Sequence, residues 1–244
     1  MIEKQVDIKT PDGVADCDFV YPDENGQWPA VIMYTDIGGR REVFREMAKR
    51  LAGEGFAVLV PNPFYRLSRA PVYQDFKFGT EATTARMGEV RKYVTPAGVE
   101  SDAHAYVAFL GNQKPVKGKI GTVGYCMGGG MAMRTAAAEP GKVAAAASFH
   151  GSNLASAEPD SPHTLGPRIK AQMYFGFAIE DRTMPPEAVE KLKSALDAAG
   201  VNYEGETYAG ARHGWCVKDH TVYHEHQAEH AWHHLVEFFK STLG

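Results

Sequence analysis

The sequence predicts an α/β protein: a mostly parallel, doubly wound sheet with an antiparallel hairpin at its start and a cap-like insertion. Three observations point to it. From Trp28 onward, short apolar runs alternate with stretches of helix formers, the pattern of parallel strands joined by helices. Before Trp28, Gln5–Ile8 and Val14–Val20 alternate apolar with polar around Pro11-Asp12-Gly13, as an antiparallel hairpin does. Finally, 244 residues that are 44% hydrophobic and 23% charged suit one domain over 1–244, with a substantial core and no room for a second.

Taken in order, Trp28–Tyr34 is a continuous apolar run, hence a central strand. It ends in Thr35-Asp36-Ile37-Gly38-Gly39, ahead of a helix over about Arg41–Ala52 and a second parallel strand at Phe56–Val60. The segment of about 61–98 has no strand periodicity and is rich in aromatics and arginine, including Phe64, Tyr73, Phe76, Arg66, Arg69 and Arg86. A long insertion at that place reads as a cap over a site. A helix over Ser101–Leu110 then leads to the strand Lys119–Val123. Later strands fall at Val143–Phe149, Ala171–Phe175 and Tyr203–Tyr208. Pro185-Pro186 opens a helix that stops at Gly200, and a closing helix runs from about Val222 to Leu243.

The stretch that organises the chain is Gly124-Tyr125-Cys126-Met127-Gly128. A strand that turns abruptly into a helix strains the apex residue, and flanking glycines remove the Cβ atoms that would collide there. Cys126 is then held above a helix N-terminus, which favours a thiolate and a developing oxyanion. Taken alone, the match equally describes a buried cysteine in a glycine-rich turn. Two more groups follow predicted strands: Asp181, in Glu180-Asp181-Arg182-Thr183-Met184-Pro185, and His213, in Gly210-Ala211-Arg212-His213-Gly214-Trp215. Nucleophile, acid and histidine thus come in the chain order of a hydrolytic triad. Glu180 is the neighbouring alternative to Asp181, and the register of the following prolines favours Asp181.

The remaining composition narrows the partners. A net charge of −4 without a Lys/Arg cluster argues against nucleic acid and against a polybasic membrane surface. No apolar run approaches membrane-spanning length and the N-terminus is charged and strand-like, so a cytoplasmic chain, monomeric or a small homo-oligomer, is expected. The three cysteines, Cys17, Cys126 and Cys216, form no Cys-x-x-Cys pair, which suggests neither a disulfide framework nor a zinc ribbon. His220, His224, His226, His230, His233 and His234 crowd the C-terminal segment, but Ala228 stands where a His-Glu-x-x-His motif needs its second histidine. A solvated helix face is the expectation for them, with no metal.

These motifs resemble the dienelactone hydrolase family of the α/β-hydrolase superfamily, with the resemblance covering about Met1 to Leu243. It implies a cysteine-dependent hydrolase that cleaves a carboxylic ester or lactone through an acyl-enzyme at Cys126. The implied triad is Cys126, Asp181 and His213, the oxyanion hole the backbone N–H groups of Ile37 and Met127, and the substrate a small ester or lactone, with no cofactor. Family members carry a glutamate where Asp36 stands, and that glutamate gates the thiol. Asp36 is one methylene shorter, so either the backbone moves closer or Cys126 pairs with His213 from the start. The family's anion-binding arginine after the catalytic histidine is also missing from Gly214-Trp215-Cys216-Val217-Lys218. Arg66, Arg86, Arg69 or Lys218 are the candidates to replace it, with Tyr125 and Trp215 as further substrate contacts. A thioesterase or broad acyl-esterase with the same triad is the alternative, and a non-catalytic ligand-binding or redox-sensing protein is a third reading.

Overall fold

Period-two alternation closes the N-terminal segments into the expected hairpin: β1 (Ile2–Thr10) and β2 (Gly13–Tyr21) pair antiparallel, with Thr10 opposite Gly13. The computed structural model describes residues 1–244 and adds six strands to these. They are β3 (Trp28–Tyr34), β4 (Ala57–Pro61), β5 (Val116–Tyr125), β6 (Val143–Phe149), β7 (Gln172–Glu180) and β8 (Tyr203–Arg212). The order across the sheet is β1-β2-β4-β3-β5-β6-β7-β8. β2 meets β4 antiparallel, and every later pair is parallel.

The chain has six helices: α1 (Glu42–Gly53), α2 (Glu81–Val90), α3 (Pro96–Gly111), α4 (Met127–Ala138), α5 (Pro186–Ala198) and α6 (Glu225–Leu243); all but α2 pack in the two cores that flank the sheet. Alternate residues of β3 divide between two cores: Ala30, Ile32 and Tyr34 join the helices α3, α4 and α5, while Val31 and Met33 join α1 and α6. Burial on both faces is what makes the β3 sequence a continuous apolar run. β3 connects to β4 on one side, and β5 lies on the other. The carboxyl ends of β3 and β5 therefore flank the point where the strand order reverses, where ligands bind in open α/β sheets. Asp36 and Ile37 follow β3, and Cys126 follows β5.

Element boundaries moved where capping chemistry outweighs periodicity. α3 begins at Pro96, before the expected Ser101, because the Thr95 hydroxyl accepts from Gly98 N at 3.1 Å. The 61–98 segment contains α2, capped by Thr80, and its Phe64, Val72, Tyr73 and Val90 form a third apolar cluster around Ile37. α6 starts at Glu225 rather than Val222, with the His224 ring accepting from Gln227 N at 3.4 Å. His220 and His224 therefore precede the helix. His226 and His233 are exposed as expected, whereas His230 and His234 are half-buried. No helix is long and apolar enough to cross a membrane.

Candidate active site

At the β5–α4 turn the backbone of Cys126 takes φ +57° and ψ −121°, a conformation that costs a side-chain-bearing residue on the order of 1–3 kcal/mol. The glycines beside it are sterically required. A Cβ on Gly124 would lie 1.8 Å from the Gly128 carbonyl oxygen, and one on Gly128 would lie 2.6 Å from the carbonyl oxygens of both Tyr34 and Thr35. Those contacts also press the elbow against the loop that follows β3. The Cys126 N–H donates to His150 Nδ1 at 3.1 Å and to Phe149 O at 3.2 Å, and its carbonyl accepts from Ser152 N at 3.0 Å. The strand neighbouring β5 thus clamps the strained residue.

Asp181 and His213, far apart in sequence, meet at the ends of β7 and β8. His213 Nδ1 and Asp181 Oδ2 are 2.6 Å apart, and Asp181 Oδ1 accepts from Thr183 N at 2.8 Å and Thr183 Oγ1 at 2.7 Å. Burial opposes ionisation of Asp181, but the hydrogen bond and charge of His213, with those of Thr183, outweigh it and hold the carboxyl below the usual range. Burial likewise opposes the imidazolium, yet the bonds and charges of Asp181 and Cys126 push His213 up to about 10. Glu180, the alternative acid, is exposed and faces Arg212.

The raised His213 value carries a stability consequence. Its ordinary value is 6.5, so the stability it contributes is complete below about 6.5 and fades as pH rises through about 10. The Asp181 contribution has the opposite sense, present at neutral pH and lost on acidification. The urea-midpoint advantage of wild type over His213→Ala should therefore be larger at pH 6 than at pH 10.5. An advantage that grows with pH over that interval would contradict the assignment.

Ser152 has no counterpart among the sequence-predicted residues. Its hydroxyl lies 3.2 Å from Cys126 Sγ and 3.5 Å from His213 Nε2, between thiol and imidazole. Its only sequence signal is its place just beyond the carboxyl end of β6, the strand next to the elbow. His150 is the other such residue: buried, at φ +40°, its ring meets those of His213 and Trp215 at 5.1 and 5.2 Å. Burial, then the charges of His213 and His220, hold its value well below 6.5, which keeps Nδ1 free to accept from Cys126.

Two backbone N–H groups in the loops at the elbow have no acceptor in the protein. Met127 opens α4, so its N–H has no acceptor one turn back. The Ile37 N–H donates to no group of the protein. Their side chains pack together in the third apolar cluster, and the Tyr73 hydroxyl, from the 61–98 segment, donates to the Ile37 carbonyl at 2.9 Å. The 61–98 segment therefore fixes the orientation of the peptide beside that N–H.

Other expected contacts are placed elsewhere. Asp36 is fully buried, and its carboxylate accepts from Gly38 N at 2.8 Å and from Arg41 at 2.6 and 2.9 Å, with His220 Nε2 at 2.8 Å. None of these bonds reaches Cys126, so of the two arrangements open at this position the one with an Asp36–thiol contact is not seen. The short aspartate is occupied by Arg41, itself bonded to Asp219 at 2.7 and 2.8 Å. Despite full burial, His220 and Arg41 hold Asp36 well below the usual carboxylate range. This hub joins the loop after β3 to the loop that carries His213. His220, read as part of a solvated helix face, is thus a buried partner.

The candidate anion-binding arginines are likewise engaged away from the thiol. Arg66 bonds Asp102 and Asp12, Arg86 bonds Glu89 and the Val72 carbonyl, and Arg69 bonds Asp7. Tyr125 stacks on Phe149, and Trp215 is fully buried behind His150 and Tyr208. Tyr125 and Lys218 both line a cavity of about 340 Å³ between α1 and α6, with Cys216 and Trp232 but neither Cys126 nor His213.

Comparison with known proteins identifies the family. A Synechocystis protein provisionally named carboxymethylenebutenolidase is 29% identical over 226 residues, 89% of this chain and 88% of its own. Among solved structures, a provisionally named dienelactone hydrolase from Klebsiella pneumoniae superposes with a TM-score of 0.87 at 23% identity, covering 98% of both chains. A dienelactone hydrolase-like promiscuous phosphotriesterase from metagenomic libraries gives 0.81 at 20% identity, covering 100% of this chain and 99% of its own. The family model of the dienelactone hydrolases matches residues 17–243, and with that match over nearly its whole length the chain belongs to the dienelactone hydrolase family.

Proposed function

We propose that the chain hydrolyses a carboxylic ester or lactone through a thioester acyl-enzyme on Cys126. Family membership supplies the coarser statement, ester or lactone hydrolysis. The observation that carries the finer one is the strained Cys126 elbow beside the 2.6 Å His213–Asp181 pair.

His213 takes the thiol proton, directly or across the Ser152 hydroxyl, and Sγ attacks the carbonyl carbon. The tetrahedral oxyanion is held by the N–H groups of Ile37 and Met127. Its collapse breaks the C–O bond, and the leaving alkoxide takes the proton from His213; in a lactone the alcohol stays tethered to the acyl group. Water then gives a proton to His213 and attacks the thioester, and the thiolate leaves as the acid is released. Asp181 remains ionised and keeps Nδ1 as the donor, so that Nε2 faces the reaction. The 61–98 segment serves as the cap, with Tyr73 steadying the Ile37 peptide.

The substrate reading follows from charge. Arg66, Arg69 and Arg86, the arginines expected to hold an anion, are paired with carboxylates, and aromatic residues from the cap pack around Ile37 and Met127. Neutral esters and thioesters are favoured over an anionic dienelactone. The test is a substrate panel: wild type should turn over neutral aryl or acyl esters with a higher kcat/KM than dienelactone. A preference for the anionic lactone would overturn the charge argument and leave the Cys126 chemistry standing.

A further inference from the structure

Two of the late histidines leave the solvated face expected for them. Glu206 and Tyr208 alternate on β8 and so share a face, and His230 and His234 lie one turn apart on α6. The Tyr208 ring meets His230 at 5.4 Å, the Tyr174 ring stacks on His234 at 5.9 Å, and the two phenols are 2.8 Å apart. Held this way, His230 Nε2 and His234 Nε2 are 2.9 Å apart. Glu206 oxygens lie 3.7 Å from His230 Nδ1 and 3.6 Å from His234 Nε2. One ligand atom from each of the three residues falls within 4.8 Å of the others.

We propose that Glu206, His230 and His234 bind a divalent transition-metal ion of the zinc class. Nitrogen ligands at 2.0–2.1 Å in a tetrahedral shell sit about 3.3 Å from one another, so small side-chain rotations bring all three onto one ion, with water in the fourth position. Two imidazoles and one carboxylate suit zinc, nickel or cupric ion, rather than calcium or magnesium with their oxygen shells, or cuprous ion with its sulfur ligands. The ion ties β8, which delivers His213, to the helix that follows the His213 loop, and so fixes both ends of that loop. None of the three residues belongs to the Cys126 centre.

The test is Zn²⁺ titration by calorimetry of the untagged chain with Cys126 alkylated, repeated on variants. Binding should saturate at one ion per chain, and His230→Ala, His234→Ala and Glu206→Gln should each weaken it on the order of tenfold or more. His226→Ala, on an exposed position of the same helix, should bind as wild type does. Zn²⁺ should raise the Tm of wild type and of His226→Ala but not of His234→Ala. Co²⁺ should give visible d–d bands without a thiolate charge-transfer band. Absence of stoichiometric binding, unchanged affinity in His234→Ala and Glu206→Gln, or a thiolate band that puts the ion on a cysteine would each overturn the site.

Discussion

Cys126→Ala should lower kcat/KM for every hydrolysed ester by about four to six orders of magnitude, with the fold intact. The alanine keeps the Cβ that the elbow already accommodates at φ +57°, so it removes the nucleophile and little else. Cys17 offers no substitute: it is buried, and burial pushes its thiol far up. Cys216 lines a different cavity. Steady-state kinetics would be paired with mass spectrometry of the quenched reaction, in which wild type should carry the acyl mass on the peptide containing Cys126. Turnover within tenfold of wild type in Cys126→Ala would remove the thiol from the mechanism.

Asp36→Ala should destabilise the protein by about 3–5 kcal/mol, the cost of removing one partner from a buried charge network. Arg41 and His220 are 12% and 8% exposed at their side chains, and each would lose its buried carboxylate, although Arg41 keeps Asp219. Because the next residue is Ile37, turnover should fall as well. Asp36→Asn, which keeps the shape and part of the hydrogen bonding, should lose less. A thiol gate at this position would behave differently: Asp36→Ala would then alter the rate of Cys126 alkylation with little change in the urea midpoint. A stability change below about 1 kcal/mol, the size of an ordinary substitution, would discard the hub.

The three residues proposed as the triad were legible in the sequence because each sits in a loop that follows a strand, and strand-end loops of a parallel sheet converge on one edge. Cys126 also announced itself locally, since glycines at 124 and 128 have a steric cause in the elbow. Ser152 and His150 carry no such mark. They act on Cys126 only because β6 pairs with β5, with Tyr125 opposite Phe149, and pairing partners are a property of the sheet. Asp36 shows the converse failure. Its position was read correctly, but its partner depended on Arg41, five residues on, and on His220, 184 residues on, and no periodicity relates them.

The chain's order of apolar runs and helix formers by itself determined a doubly wound sheet, and its motifs pointed to the family and to the three residues proposed as its triad. These are local properties: burial on both faces makes a strand uniformly apolar, and a tight turn demands glycine. Tertiary structure alone decided the charge balance of the site. It spent Arg66, Arg69 and Arg86 on distant carboxylates, locked Asp36 to Arg41 and His220, and turned His230 and His234 toward Glu206. The physical reason is that a charged or ring side chain takes whichever partner the packed elements bring within about 3–4 Å, and that distance exists only once the sheet and helices have assembled.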